Sequence, residues 1–338
     1  MRRFLRWVLR GLVALVVLVG VYVTVSVVYT SVHERRDLAQ SAPADGRLVT
    51  VDGVHVFARM HPGRADRLPV LLVHGTAAWS GTWFELIPAL QRDGYPVIAV
   101  DLPPFGYSDK ATNIDFSREA QASRLRGVLD AFGVERAMVV GHSFGGGPAL
   151  EFALRAPERV ERLVLVDAAL GLTAPPPDPS SAACRMLAMP RVRNVVMSST
   201  AANPLWSGTL LRSFVARKEA VTPQRLDVYR EPASLHGASA ALGAWAHHFA
   251  CVPETGFSMD PARIRAIGVP MFLLWGAADT VTPLDQATHL QQLVPASRVD
   301  VLPGVGHIPH IEDPGAFARA LLDTLASPAP LAAADDPQ

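Results

Sequence analysis

The segment Gly141-His142-Ser143-Phe144-Gly145-Gly146 constrains the fold of this chain more than any other. It follows an apolar run, Ala137 to Val140, and leads into a helix-compatible stretch, Pro148 to Arg155. A serine flanked by glycines between a strand and a helix predicts a sharp turn with the serine at its apex. Such a turn holds its central residue in a strained conformation and leaves no room for a Cβ at the flanking positions. Ser143 is therefore a candidate nucleophile.

The chain around this turn alternates in a regular way. Leu48 to Met60 reads as two short strands around the hairpin signal Asp52-Gly53. Strands follow at Pro69 to Val73, Val97 to Val100, Ala137 to Val140, Leu163 to Val166, Met271 to Trp275 and Arg298 to Leu302. Helices are predicted near Thr82 to Asp93, at Ser117 to Phe132, Pro148 to Arg155, Leu284 to Leu293 and Pro314 to Leu325. Continuous β-branched runs between amphipathic helices predict an α/β fold, a mostly parallel eight-stranded sheet covered by helices on both faces. Ligands in such sheets bind at the carboxyl ends of the strands.

Three further features fall at those ends. Asp279 follows the strand Met271 to Trp275 and is the candidate acid. His307, in the glycine-rich loop that starts at Pro303, is the candidate base. His74-Gly75-Thr76 follows Pro69 to Val73, where the backbone N–H groups of Thr76 and Phe144 can point at a developing oxyanion.

With these motifs in the order Ser, Asp, His, the chain from about Leu48 to about Leu325 resembles α/β-hydrolase fold enzymes with a serine nucleophile. The stretch Val97 to Ser108 resembles the family's D-x-P-G-x-G-x-S segment, with Pro104 where glycine is usual. The resemblance implies a triad of Ser143, His307 and Asp279, an oxyanion hole from Thr76 and Phe144, and no cofactor or metal. Asp167 is a rival for the acid, although Asp279 holds the family's usual position. His142 reads as packing behind the turn, His74 as orienting a loop, and His310 as a surface or rim residue. Asp101, Asp109, Asp285 and Asp313 read as loop or helix-start caps. His247 and His248 lack partners at ligand spacing, so a metal role is not expected.

A serine at the turn disfavours the dehalogenase and epoxide-hydrolase relatives, which attack with aspartate. Esterases and lipases, carbon–carbon bond hydrolases, perhydrolase- or haloperoxidase-like enzymes and peptidases remain. The competing class is a non-catalytic, membrane-tethered binding scaffold, against which the filled triad positions speak. Leu170 to about Gly268 breaks the alternation and resembles the helical cap of these enzymes. Its Met186, Met189, Met197, Trp206 and Trp245 either suit a hydrophobic substrate or pack the cap's own core. An apolar cap and a membrane segment favour a small hydrophobic ester, one derived from lipid included.

That membrane segment lies in residues 11–30, an almost unbroken apolar stretch that reads as a transmembrane helix. Arg2, Arg3, Arg6 and Arg10 give residues 1–10 a basic flank, so the positive-inside rule places the N-terminus in the cytoplasm and the enzyme domain outside. A cleaved signal peptide is the alternative, although the apolar run exceeds a usual h-region and no small-x-small site closes it. Residues 31–47 read as a polar linker, 48–169 and 269–326 as the core, 170–268 as the cap and 327–338 as a disordered tail. Cys184 and Cys251 both fall in the cap; in an oxidising compartment they would pair, elsewhere they would be thiols. Thirty-one basic and 31 acidic residues balance, which removes any electrostatic case for nucleic acid. Oligomeric state is left open.

Overall fold

The computed structural model describes residues 1–173 and 175–328; most of the predicted tail lies outside the described residues. The apolar runs of the sequence become one eight-stranded sheet: β1 (Gly46–Val51), β2 (Val54–His61), β3 (Val70–Val73), β4 (Val97–Asp101), β5 (Ala137–His142), β6 (Val160–Val166), β7 (Met271–Gly276) and β8 (Arg298–Leu302). Their order is β1-β2-β4-β3-β5-β6-β7-β8. Only β1 with β2 and β2 with β4 pair antiparallel; every later pair is parallel. Asp52 and Gly53 both have positive φ, at 50° and 78°, as the tight hairpin between β1 and β2 requires.

Strand β3 shows why the runs are continuous rather than alternating. Leu71 and Val73 enter a cluster with the helices Arg118–Ala131 and Gly146–Arg155, whereas Val70 and Leu72 enter another with Ile87–Arg92 and Pro314–Ala326. All four are fully buried. A strand covered on both faces has no solvent side on which a polar residue could sit.

The helix expected near Thr82 to Asp93 is instead a 3₁₀ turn, Ser80–Trp83, followed by the helix Ile87–Arg92. Pro88 is the physical reason. Its ring and missing N–H are tolerated only in a first turn, so one helix cannot run through it.

Between β6 and β7 the chain makes the helices Ala182–Ala188, Pro190–Ser199, Pro204–Phe214, Pro223–Arg230 and Ala238–Cys251. Cys184 and Cys251 are disulfide-bonded and join the first of these to the last. Packing does not account for every apolar side chain here: Trp245 is buried, but Met186, Met189 and Trp206 are about half exposed and Leu205 is 76% exposed. These last four do not form the cap's small core.

One helix, Arg2–His33, takes in both the basic flank and the apolar stretch, and is long and apolar enough to cross a membrane. Most of its apolar side chains point outward, but Ser26 and Thr30 are buried. Tyr22 donates its hydroxyl to the Ser199 carbonyl at 2.6 Å, Trp206 Nε1 donates to Tyr22 at 2.6 Å, and Asn203 Nδ2 donates to Ser26 Oγ at 3.0 Å. Glu34 then accepts from the N–H and hydroxyl of Ser239. The expected linker, residues 31–47, is correspondingly short of free chain. The helix runs to His33, Arg36 bridges to Leu235, a short helix spans Leu38–Ser41, and β1 begins at Gly46.

Candidate active site

Strand β5 delivers Ser143 to the carboxyl edge of the sheet with φ +50°, a left-handed conformation rarely tolerated by a residue with a Cβ. That strain costs on the order of 1–3 kcal/mol and persists because the surroundings over-determine it. A Cβ on Gly141 would stand 2.7 Å from Ala149 Cβ in the following helix, and one on Gly145 would stand 2.5 Å from the His74 carbonyl oxygen. Both glycines are therefore required by contact with neighbouring elements.

Ser143, His307 and Asp279 meet at this edge. Ser143 Oγ lies 2.8 Å from His307 Nε2, and His307 Nδ1 lies 2.8 Å from Asp279 Oδ2. Because the carboxylate can only accept, Nδ1 carries the proton and Nε2 is left as the acceptor for the serine hydroxyl. Asp279 also receives the N–H groups of Val281 and Thr282 and the Thr282 hydroxyl. Burial pushes its carboxyl up, but the hydrogen bonds from His307, Thr282 and Val281 outweigh that and hold it below the ordinary range. Thr76 and Phe144 border the cavity in front of Ser143. Phe144 lies in the first turn of the helical segment, where backbone N–H groups have no intrahelical acceptor and remain free for a ligand.

Of the other histidines of the region, His74 and His142 hold the loops behind the site, and His310 departs from expectation. His74 Nε2 accepts the Leu102 N–H, which ties β3's end to the Leu102–Ser108 loop. His142 Nε2 donates to the His307 carbonyl at 2.8 Å, so the turn holds the histidine loop from behind. Burial, with His307 next, pushes His142 down to about 3. His310 is not a rim residue. It is 2% exposed, with its ring 4.3 Å from that of Trp83 and 4.9 Å from that of His142. The short helix Pro309–Glu312 turns it inward. Burial first, then His142 and His307, pushes it well below the ordinary imidazole value.

Glu312 clamps the cap to the core. Its carboxylate accepts the N–H groups of Gly306 and Ile308 on the histidine loop and of Ala216 and Arg217 on the cap. Lys110 went unremarked in the sequence; its Nζ donates to the carbonyls of Pro104, Gly106 and Ser108 and so fixes the Pro104 loop. Asp101, Asp109 and Asp313 accept backbone N–H groups, whereas Asp285 makes no cap at its helix. His248 Nε2 does have a carboxylate, Glu254, at 3.5 Å. Among the described residues no group of three or more His, Cys, Asp and Glu is placed to hold a metal ion.

The site opens into a cavity of about 1160 Å³. Phe105, Phe144, Trp245 and Phe249 form one wall, with neighbouring ring centroids 4.9 to 6.1 Å apart. Tyr29, His33 and Glu34 at the end of the amino-terminal helix also line it. The sequence treats that helix as separate from the site because hydropathy carries no information about which cavity a helix end borders.

The profile of the α/β-hydrolase fold family matches residues 69–314. The chain is 31% identical over 290 residues to a 2-hydroxy-6-oxo-2,4-heptadienoate hydrolase of Pseudomonas putida, covering 83% of this chain and 96% of that protein. It is 28% identical over 293 residues to a 2-hydroxymuconate semialdehyde hydrolase of a Pseudomonas species, covering 85% and 96%. Among solved structures, a membrane phospholipase A described as a bacterial virulence factor superposes with a TM-score of 0.62 at 26% identity, covering 97% of this chain and all of that one.

Proposed function

The chain belongs to the α/β-hydrolase fold family, and on that footing we propose that it is a serine hydrolase cleaving a carboxylic ester, derived from lipid, through an acyl-serine at Ser143. The observation that carries this reading is the Ser143–His307–Asp279 relay, 2.8 Å at each step, opening on a largely apolar cavity. As Ser143 Oγ attacks the acyl carbon, His307 Nε2 takes its proton, and Asp279 stabilises the imidazolium that forms. The oxyanion faces the N–H groups of Thr76 and Phe144, each such donor being worth about 3 kcal/mol in the transition state. Collapse expels the alcohol, protonated by His307. Water then attacks the acyl-serine with the same imidazole as base, which returns the serine and releases the acid.

Three observations favour a lipid ester. The cavity wall is aromatic; the exposed apolar residues Leu205 and Trp206 lie on the cap helix whose start bonds to the amino-terminal helix; and the likeness to the membrane phospholipase extends over nearly the whole chain. We read that helix as a single-pass anchor with its basic end cytoplasmic and the catalytic domain outside. Protease added to spheroplasts then digests the domain; protection until lysis reverses the orientation.

A carbon–carbon bond hydrolase is the second reading, favoured by the two Pseudomonas relatives. Rates over p-nitrophenyl esters of graded acyl length, set beside a vinylogous 1,5-diketone, separate the two. The ester reading requires turnover of the esters with activity lost in His307→Ala. Efficient diketone cleavage with negligible ester turnover establishes the alternative.

A further inference from the structure

A second acidic residue, Asp167, lies beside Asp279: Thr282 Oγ1 stands 2.6 Å from Asp279 Oδ2 and 3.0 Å from the Asp167 carbonyl oxygen. Asp167 directly follows β6 and Asp279 follows β7, two adjacent parallel strands, and Asp167 is wholly buried. The two are supplied very differently. Asp279 receives two backbone N–H groups, the Thr282 hydroxyl and the imidazole, four donors in all. Asp167 Oδ1 receives one, the Gly276 N–H at 2.8 Å, and Oδ2 is buried with no donor. The Asp167 backbone is also held in place. Its φ is +43° and its N–H bonds to the Leu274 carbonyl.

An ionised carboxylate in that position would combine burial, a single donor and an ionised neighbour, the arrangement in which one of two carboxyls keeps its proton. Burial, then Asp279, pushes Asp167 well above the ordinary carboxyl range, and Glu312 adds to this. We propose that Asp167 is a positioning residue that remains a neutral acid and donates its proton to Asp279, so that His307 is oriented by two carboxyl groups sharing one proton. Its consequence for rate rests on the triad reading; its protonation state does not. A neutral donor lets Asp279 keep its charge for the imidazolium while adding a hydrogen bond that helps hold the carboxylate in line.

The test uses the full chain in detergent and begins with infrared spectroscopy at neutral pH. Wild type shows the carbonyl stretch of a buried neutral carboxylic acid, and Asp167→Asn loses it. Asp167→Ala lowers kcat/KM for a p-nitrophenyl ester by about 10- to 100-fold, the range for one hydrogen bond to a charged group, and Asp167→Asn, which retains a neutral donor, recovers most of that loss. Absence of the band in folded wild type, or its survival in Asp167→Asn, overturns the proposal even where Asp167→Ala fails to fold. Because the band is read on resting protein, it persists in Ser143→Ala, and failure of the triad reading is recognised separately, by esterase activity in that variant.

Discussion

The ring of Phe144 meets that of Trp245 edge to face, with centroids 5.2 Å apart and planes at 85°. The residue after the turn serine, whose backbone N–H is a candidate oxyanion donor, thus packs its side chain against the cap. Trp245 is also stacked on Phe249 at 5.0 Å and borders the cavity. Trp245→Ala should cost about 3–5 kcal/mol of stability, the usual range for a buried tryptophan. It should also move the optimum of a p-nitrophenyl ester series toward longer acyl chains. Thermal melts and the rate series check both; an unchanged length profile would remove Trp245 from the acyl wall.

Asp279→Asn tests the tautomer argument. An amide there can present Nδ2–H to the imidazole and favour the proton on Nε2, where it blocks acceptance from Ser143. A fall in kcat of about 10⁴-fold is expected, with folding intact. Stopped-flow rates beside a near-ultraviolet circular dichroism spectrum decide it. A loss under tenfold would show that Asp279 does not set the tautomer.

His310 and His142 bring a pH dependence of stability. Both are neutral when buried, and burial lowers them, whereas in the unfolded chain an imidazole takes up a proton near pH 6.5. The unfolded chain therefore binds more protons as pH falls below about 6.5, and stability is lost from there downward. For His142 that loss runs on to about pH 3. His310→Phe, placed between Trp83 and Phe317, has no proton to gain at that position. Its Tm should fall less than that of wild type between pH 7 and pH 5. Parallel Tm curves would mean that His310 takes up its proton equally in the folded and unfolded chain.

The disulfide closes a loop across the cap, with Cys184 and Cys251 separated by 67 positions. In the chain-entropy description a loop of that size is worth about 4 kcal/mol. Cys184→Ser should lower the denaturation midpoint by a corresponding amount in oxidising buffer, and wild type in strong reductant should approach the variant. Equal midpoints for all three would show that the bridge adds nothing to stability.

Much of this architecture is legible in the sequence because burial on two faces leaves a simple trace. Val70 to Val73 and Met271 to Gly276 are apolar throughout, and the glycines around Ser143 are imposed by contacts within a few residues or with the next strand. The misreadings share a different cause. His310 reads as a surface or rim residue of the His307 loop, yet the short helix Pro309–Glu312 directs it onto Trp83. For Trp206 the sequence leaves open whether it packs the cap or faces a substrate, because hydropathy ranks side chains without saying what lies opposite them. The closing contacts of the amino-terminal helix depend on Tyr22 and Ser26 meeting Ser199, Trp206 and Asn203, partners far away in the chain that no local pattern announces. Glu312 has a local signal, an acid shortly after a glycine-histidine loop, but its four N–H partners come from two separate segments.

The central claim is that the hydroxyl of Ser143 is a nucleophile activated by His307. Labelling of the full chain with a fluorophosphonate probe, read by intact mass and peptide mapping, tests it most directly. The account predicts one adduct on Ser143 in wild type and none in Ser143→Ala. Folded wild type that remains unlabelled, or equal labelling of Ser143→Ala, would contradict it.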